Sequence, residues 1–171
     1  MQTATYENYP WWMVAVSNAV TWAIYAIGLY LLSRLGLAWG LLYVAYCLWL
    51  EWRVLTKSCP GCYYYGKRCA FGRGLVSTLL LKKEPEQAFK SKQISWKDIA
   101  PDFLVSLIPL AAGIFLLIRH FSWPILFLVI LLALLGSAGT GFVRSRIACK
   151  FCKQRELGCP AEQLFNKTKP A

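Results

Sequence analysis

Histidine is almost missing from this chain: among its 171 residues His120 stands alone, and only 16% of residues are charged. Soluble domains carry roughly a quarter. A single histidine rules out His-rich metal sites. It also leaves no base for a Cys–His dyad if His120 lies, as argued below, across the membrane from the cysteines. Paired carboxylates inside an apolar run, a nucleophile beside a base and a phosphate-binding loop are all lacking, which gives least support to a small transporter or lipid-modifying enzyme. Acidic side chains number 8 against 19 Lys and Arg.

Apolar residues are what the chain has in excess, at 57%, with 15% aromatic. From Trp11 to Leu32 the sequence runs without a charge. At 1.5 Å per residue such a helix crosses a hydrocarbon core of about 30 Å. Leu35 to Leu50 is uncharged and continues past Glu51 and Arg53 to Leu55, a second span joined to the first by a tight turn. Phe103 to Ile118, started by Pro101 and stopped by Arg119 and His120, is a third. Trp123 to Val143 supplies a fourth, again with proline in its first turn. The expected fold is an all-α integral membrane protein of four transmembrane helices in two hairpins. Its parts are a tail and first hairpin over 1–55, a connection over 56–102, a second hairpin over 103–143 and a tail over 144–171.

Charge orients this plan. The connection carries nine Lys or Arg residues and the C-terminal tail seven, whereas each hairpin turn carries one. By the positive-inside rule both termini and the connection face the cytoplasm of a multi-pass cell-membrane protein. No Lys or Arg precedes the first apolar run, and that run exceeds the core of a signal peptide, so the first helix is expected to stay.

Six of the seven cysteines then fall into two triplets of identical spacing, C-x2-C-x6-C. Cys59, Cys62 and Cys69 form one, and Cys149, Cys152 and Cys159 the other, at one constant offset in the sequence. Each follows a hairpin, which reads as an internal repeat with a pseudo-twofold axis along the membrane normal. In a reducing cytosol such thiols favour bound metal or redox-active pairs over structural disulfides. A Cys-x2-Cys pair lets two sulfurs grip one ion from a tight turn, and Pro60-Gly61 supplies one. Gly66, Gly72, Gly74 and Gly158 give the chain freedom to wrap.

This spacing resembles the fungal-type binuclear zinc cluster, in which two such elements bind two zinc ions through six cysteines. The likeness covers the two cysteine elements alone, and here two apolar spans separate them. It implies that Cys59 and Cys149 would bridge the two ions. Six thiolates on two divalent ions leave two negative charges, which Lys67, Arg68, Lys150, Lys153 and Arg155 could offset. DNA binding is not implied. An iron–sulfur cluster competes with zinc, since four of the six cysteines would satisfy one.

The remaining features have plainer readings. Cys47, among Tyr43, Tyr46 and Trp49, is a packing residue. Glu51 lies near a helix end and pairs structurally, with Arg53 or a neighbouring helix, while Ser17 and Asn18 bond between helices. Gly136, Ser137, Gly139, Thr140 and Gly141 let another helix approach closely. Leu75 to Lys83 reads as a short interfacial helix, and Ile94, Trp96 and Ile99 as a segment lying on the membrane, with basic residues that favour anionic headgroups. Tyr63 to Tyr65 suit the same interface.

Three functions follow. The first is a zinc-stabilised binding or scaffold protein whose cytoplasmic metal knot locks the hairpins and presents a basic platform to lipid or a protein partner, a second copy included. The second is a membrane redox protein that uses a cluster or dithiols with a quinone, along a path lined by Trp22, Tyr25, Tyr43 and Trp49. The third is the transporter or lipid-modifying enzyme.

Overall fold

The computed structural model describes residues 5–90 and 95–160, and all regular structure among them is helical. We label the helices α1 (Trp11–Ser33), α2 (Leu37–Ser58), α3 (Arg73–Leu80), α4 (Glu86–Lys90), α5 (Trp96–Arg119) and α6 (Trp123–Ala148). A final turn, Lys153–Glu156, follows Cys152. Ile94 of the expected interfacial segment and the tail beyond residue 160 lie outside the described residues.

Three helices are long and apolar enough to cross a membrane: α1, α5 and α6, with mean hydropathies of 1.5, 2.1 and 2.4. Their outward faces carry Trp22, Ile118 and Phe127 at 67%, 79% and 66% exposure, a surface suited to lipid rather than water. Helix α2 falls short of the others because Glu51, Arg53 and Lys57 interrupt its last two turns.

The chain divides into two compact units. One comprises residues 18–51 and 100–142, the apolar helical part. In it Ile24, Ile27 and Leu31 of α1 pack on Ile125, Val129 and Leu132 of α6. A second cluster joins Leu32 to Tyr43, Cys47 and Leu50 of α2 and to Val105 and Ala112 of α5. Cys47 is therefore a core residue, as its neighbours in the sequence imply.

Two prolines lie inside α5, Pro101 and Pro109. A proline supplies no N–H, so the carbonyl four residues earlier loses its donor, and in lipid another group must satisfy it. For Pro109 that carbonyl belongs to Val105, and the Tyr43 hydroxyl donates to it at 2.8 Å. Gly28 of α1 leaves the space for this tyrosine, because a Cβ there would collide with the Tyr43 ring. Gly28, Tyr43, Val105 and Pro109 thus form one packing solution across three helices.

The start of α5 corrects the sequence reading, which began this span at Phe103 with Pro101 as its first-turn residue. The helix begins at Trp96, two turns earlier, and takes in Trp96 and Ile99. The cause is local: the Asp98 carboxylate accepts from the Ser95 N–H at 3.1 Å while the Asp98 N–H donates to the Ser95 carbonyl at 2.9 Å. This Ser-x-x-Asp arrangement is the acidic half of a capping box.

Helix α6 widens from α-helical to π-helical winding at Leu135–Gly139, within the small-residue stretch, and again beyond it at Val143–Ala148. The expected close approach is found at Gly136, weakens to ordinary contact at Gly139 and is missing at Gly141, where a Cβ would meet nothing within 4 Å. A Cβ on Gly136 would sit 3.2 Å from Ser106 of α5, and one on Gly139 would sit 3.6 Å from Val20 of α1.

Candidate metal-thiolate site

The second unit comprises the described parts of 1–17, 52–99 and 143–171, and both cysteine triplets belong to it. Each C-x2-C pair is closed by the same turn. The Cys62 N–H donates to the Cys59 carbonyl at 3.3 Å, and the Cys152 N–H to the Cys149 carbonyl at 3.4 Å. A second turn follows each pair, Tyr65 N–H to Cys62 O at 3.0 Å and Arg155 N–H to Cys152 O at 3.1 Å. Burial dominates the electrostatics of Cys62 and Cys152, and the backbone N–H of Tyr64 at Cys62 and those of Arg155 and Gln154 at Cys152 oppose it. Such donors favour a thiolate over a thiol.

Tyrosines hold the two elements against each other. The Lys153 N–H donates to the Tyr64 hydroxyl at 3.0 Å, and that hydroxyl donates to the Tyr6 carbonyl at 2.6 Å. The Gln154 side-chain oxygen accepts from the Tyr63 N–H at 2.7 Å. Residues preceding α1 run between the elements: Tyr6 donates its N–H to Phe151 O at 3.1 Å, Tyr9 its N–H to Arg68 O at 3.0 Å, and the Tyr9 hydroxyl reaches Ala148 O at 2.5 Å. Tyr9 is 1% exposed, and its ring lies 5.6 Å from that of Tyr64. The sequence reading did not find Tyr6, Tyr9 or Gln154. The only signal was a pair of aromatics in an otherwise polar leader.

Local glycines permit the wrapping. Gly72 caps α3 at φ +72°, and Gly74 passes so close to the Tyr64 and Lys67 carbonyls that a side chain would strike backbone.

Burial pushes the Cys62 thiol up to about 12 and the Cys152 thiol up to about 11. Neighbouring sulfurs add to this, Cys152, Cys69 and Cys59 at Cys62, and Cys149 and Cys159 at Cys152. Of these sulfurs only Cys152, acting on Cys62, belongs to the other triplet. Tyr9 is raised too, by burial first and then by Cys152, Tyr64 and Cys149. The flanking cations are already engaged: Lys67 sits 3.0 Å from the Tyr63 hydroxyl, and Lys153 pairs with Glu7 at 3.0 Å, which holds the Glu7 carboxyl below the usual range.

The six cysteines share one unit, but among the described residues no three His, Cys, Asp or Glu side chains are grouped so as to hold a metal ion. The donor chemistry, soft sulfur with N–H groups aimed at it, fits a thiophilic metal. The spacing does not yet do so. Outside this unit, His120 lies exposed at the turn between α5 and α6. Glu51 accepts from the Tyr25 hydroxyl at 2.8 Å, while Arg53 pairs with Asp98 at 3.6 Å.

No family model, no curated protein and no solved structure matches the chain. The likeness to the binuclear zinc cluster accordingly rests on cysteine spacing.

Proposed function

We propose that this chain is a membrane-anchored metal-thiolate protein, in which Cys59, Cys62, Cys69, Cys149, Cys152 and Cys159 close around metal on the cytoplasmic side of four membrane crossings. One observation carries the reading: two matched C-x2-C turns, far apart in sequence, meet in one tyrosine-rich unit. Metal binding then completes the fold, because ligands drawn together by an ion release their protons as they bind. Zinc, as two ions, is the favoured metal, and an iron–sulfur cluster is the alternative.

The contacts of this unit also support a fourth crossing. Residues before α1 bond to residues after α2 and after α6, and Arg53 near the end of α2 pairs with Asp98 near the start of α5. A chain that leaves such a cluster through α1 must return to it through α2, whatever the hydropathy of α2. Glu51, Arg53 and Lys57 then fall at the interface, where charged side chains reach water.

The role that fits is that of a scaffold with a basic, aromatic-backed surface. Lys67 lies over the Tyr63 ring at 4.1 Å, Arg68 over Trp11 at 4.9 Å and Lys150 over Phe151 at 5.3 Å. Helix α3 buries Gly74 and Ser77 and exposes Leu75, Val76, Leu79 and Leu80 ahead of Lys82 and Lys83, a combination suited to an anionic lipid surface.

Serine substitution tests the assignment. Cys62→Ser and Cys152→Ser should lower bound metal and unfolding temperature together, whereas Cys47→Ser should keep its metal. Unchanged metal in all six triplet variants would remove the site.

A further inference from the structure

A groove of about 270 Å³ opens on the hairpin of α1 and α2, within the apolar unit and apart from the cysteine triplets. Its walls include Trp22, Tyr25 and Tyr43, with Cys47 and Leu48 between them, and Glu51 lies at one end. The lining is almost wholly apolar apart from that end, where the Tyr25 hydroxyl donates to the Glu51 carboxyl at 2.8 Å.

We propose that this groove binds the head of a quinone-class amphiphile: a flat, uncharged ring bearing paired carbonyl or hydroxyl oxygens on an apolar tail. Shape, aromatic walls and charge each narrow the choice. Ligand pockets commonly run from about 300 Å³ upward, so this one suits a ring and the start of a tail, with the rest leaving through the open side. Three aromatic side chains offer faces and edges for a ring to stack on, which a saturated chain does not require. A carboxyl group repels phosphate and fatty-acid heads, yet it accepts from a ring hydroxyl, and the Tyr25 hydroxyl that donates to it keeps an oxygen that can accept from a second one. Glu51 is the polar end of this groove, so the head that reaches it should be one that hydrogen-bonds to a carboxyl. Trp49, the fourth aromatic of the expected path, stacks on Tyr46 and does not line the groove.

Binding is independent of the metal proposed above, and its test can be read on metal-free protein. Decylubiquinol and decylubiquinone are titrated into the full chain in zwitterionic nanodiscs, beside Glu51→Gln, Tyr25→Phe and Ala26→Trp. The last fills the groove from an exposed position on α1. Saturable binding of one molecule per chain is expected, lost in Ala26→Trp and about tenfold weaker for the quinol in Glu51→Gln, an effect worth about 1.4 kcal/mol. Farnesol and oleate, a neutral and an anionic chain without a ring, should fail to displace it. Linear partition identical in all four proteins, or equal displacement by farnesol, would overturn the proposal. Helical circular dichroism of Glu51→Gln and Tyr25→Phe separates loss of binding from loss of fold.

Discussion

At the scale of residues, the most informative contact is the Tyr43 hydroxyl on the Val105 carbonyl, because it stands in for the N–H that Pro109 lacks. Removing that hydroxyl strands a buried acceptor, at a cost of about 1–3 kcal/mol. Tyr43→Phe should therefore destabilise the protein by that amount. In a Pro109→Ala background, where an N–H is restored, it should cost far less, and a double-mutant cycle by steric-trap unfolding measures the difference. Equal costs in both backgrounds would mean that Val105 does not depend on Tyr43. The thiols make a second prediction. Burial raises Cys62 to about 12 and Cys152 to about 11, so in metal-free protein both should resist alkylation at pH 8. The folded state favours the neutral thiols, so the stability they confer is whole below the ordinary thiol range and falls as pH rises from about 9 through 11 and 12. A falling unfolding temperature over that window checks the sign.

Among the elements, the segment ahead of α1 acts as a strap across the two cysteine turns. Tyr9 is its anchor, fully buried and bonded to Ala148 and Arg68. Tyr9→Ala should cost about 3 kcal/mol, as large aromatic truncations do, and should accelerate alkylation of Cys62 and Cys152. Unchanged labelling rates would show that the strap does not cover the sulfurs. Gly74→Ala should be comparably severe, because the new methyl meets backbone rather than a side chain that can swing away. The helices were largely legible from the apolar runs: α1 ends within a residue of the expected Leu32, and α6 starts at the expected Trp123. The start of α5 was not, because Pro101 drew attention away from Ser95 and Asp98, whose reciprocal bonds begin the helix earlier. The strap was illegible for a different reason. Tyr6 and Tyr9 gain their partners, Tyr64, Arg68, Ala148 and Phe151, only from chain remote in sequence, and no local periodicity marks such contacts. The first π-helical turn of α6 coincides with the run of small residues, yet those residues signalled only close packing.

For the whole molecule, the cysteine spacing was the most legible feature, and the structure places both triplets in one unit without grouping three possible ligands among the described residues. Spacing specifies which sulfurs can share a turn, and does not by itself bring the two triplets to ligand distance. The four crossings proposed above predict that Arg34 and His120 face the side of the membrane opposite the triplets. Single cysteines introduced as Arg34→Cys and His120→Cys should react with an impermeant maleimide on intact cells, while the native triplets react only after permeabilisation. Labelling of the native triplets on intact cells would reverse the topology. The central claim is that these six thiols hold metal, and elemental analysis of the intact, anaerobically purified protein alongside its visible spectrum tests it most directly. The account predicts two zinc ions per chain and no charge-transfer absorption; a brown sample containing iron and labile sulfide would replace zinc by a cluster, and a metal-free protein with all seven thiols titrating would contradict the account.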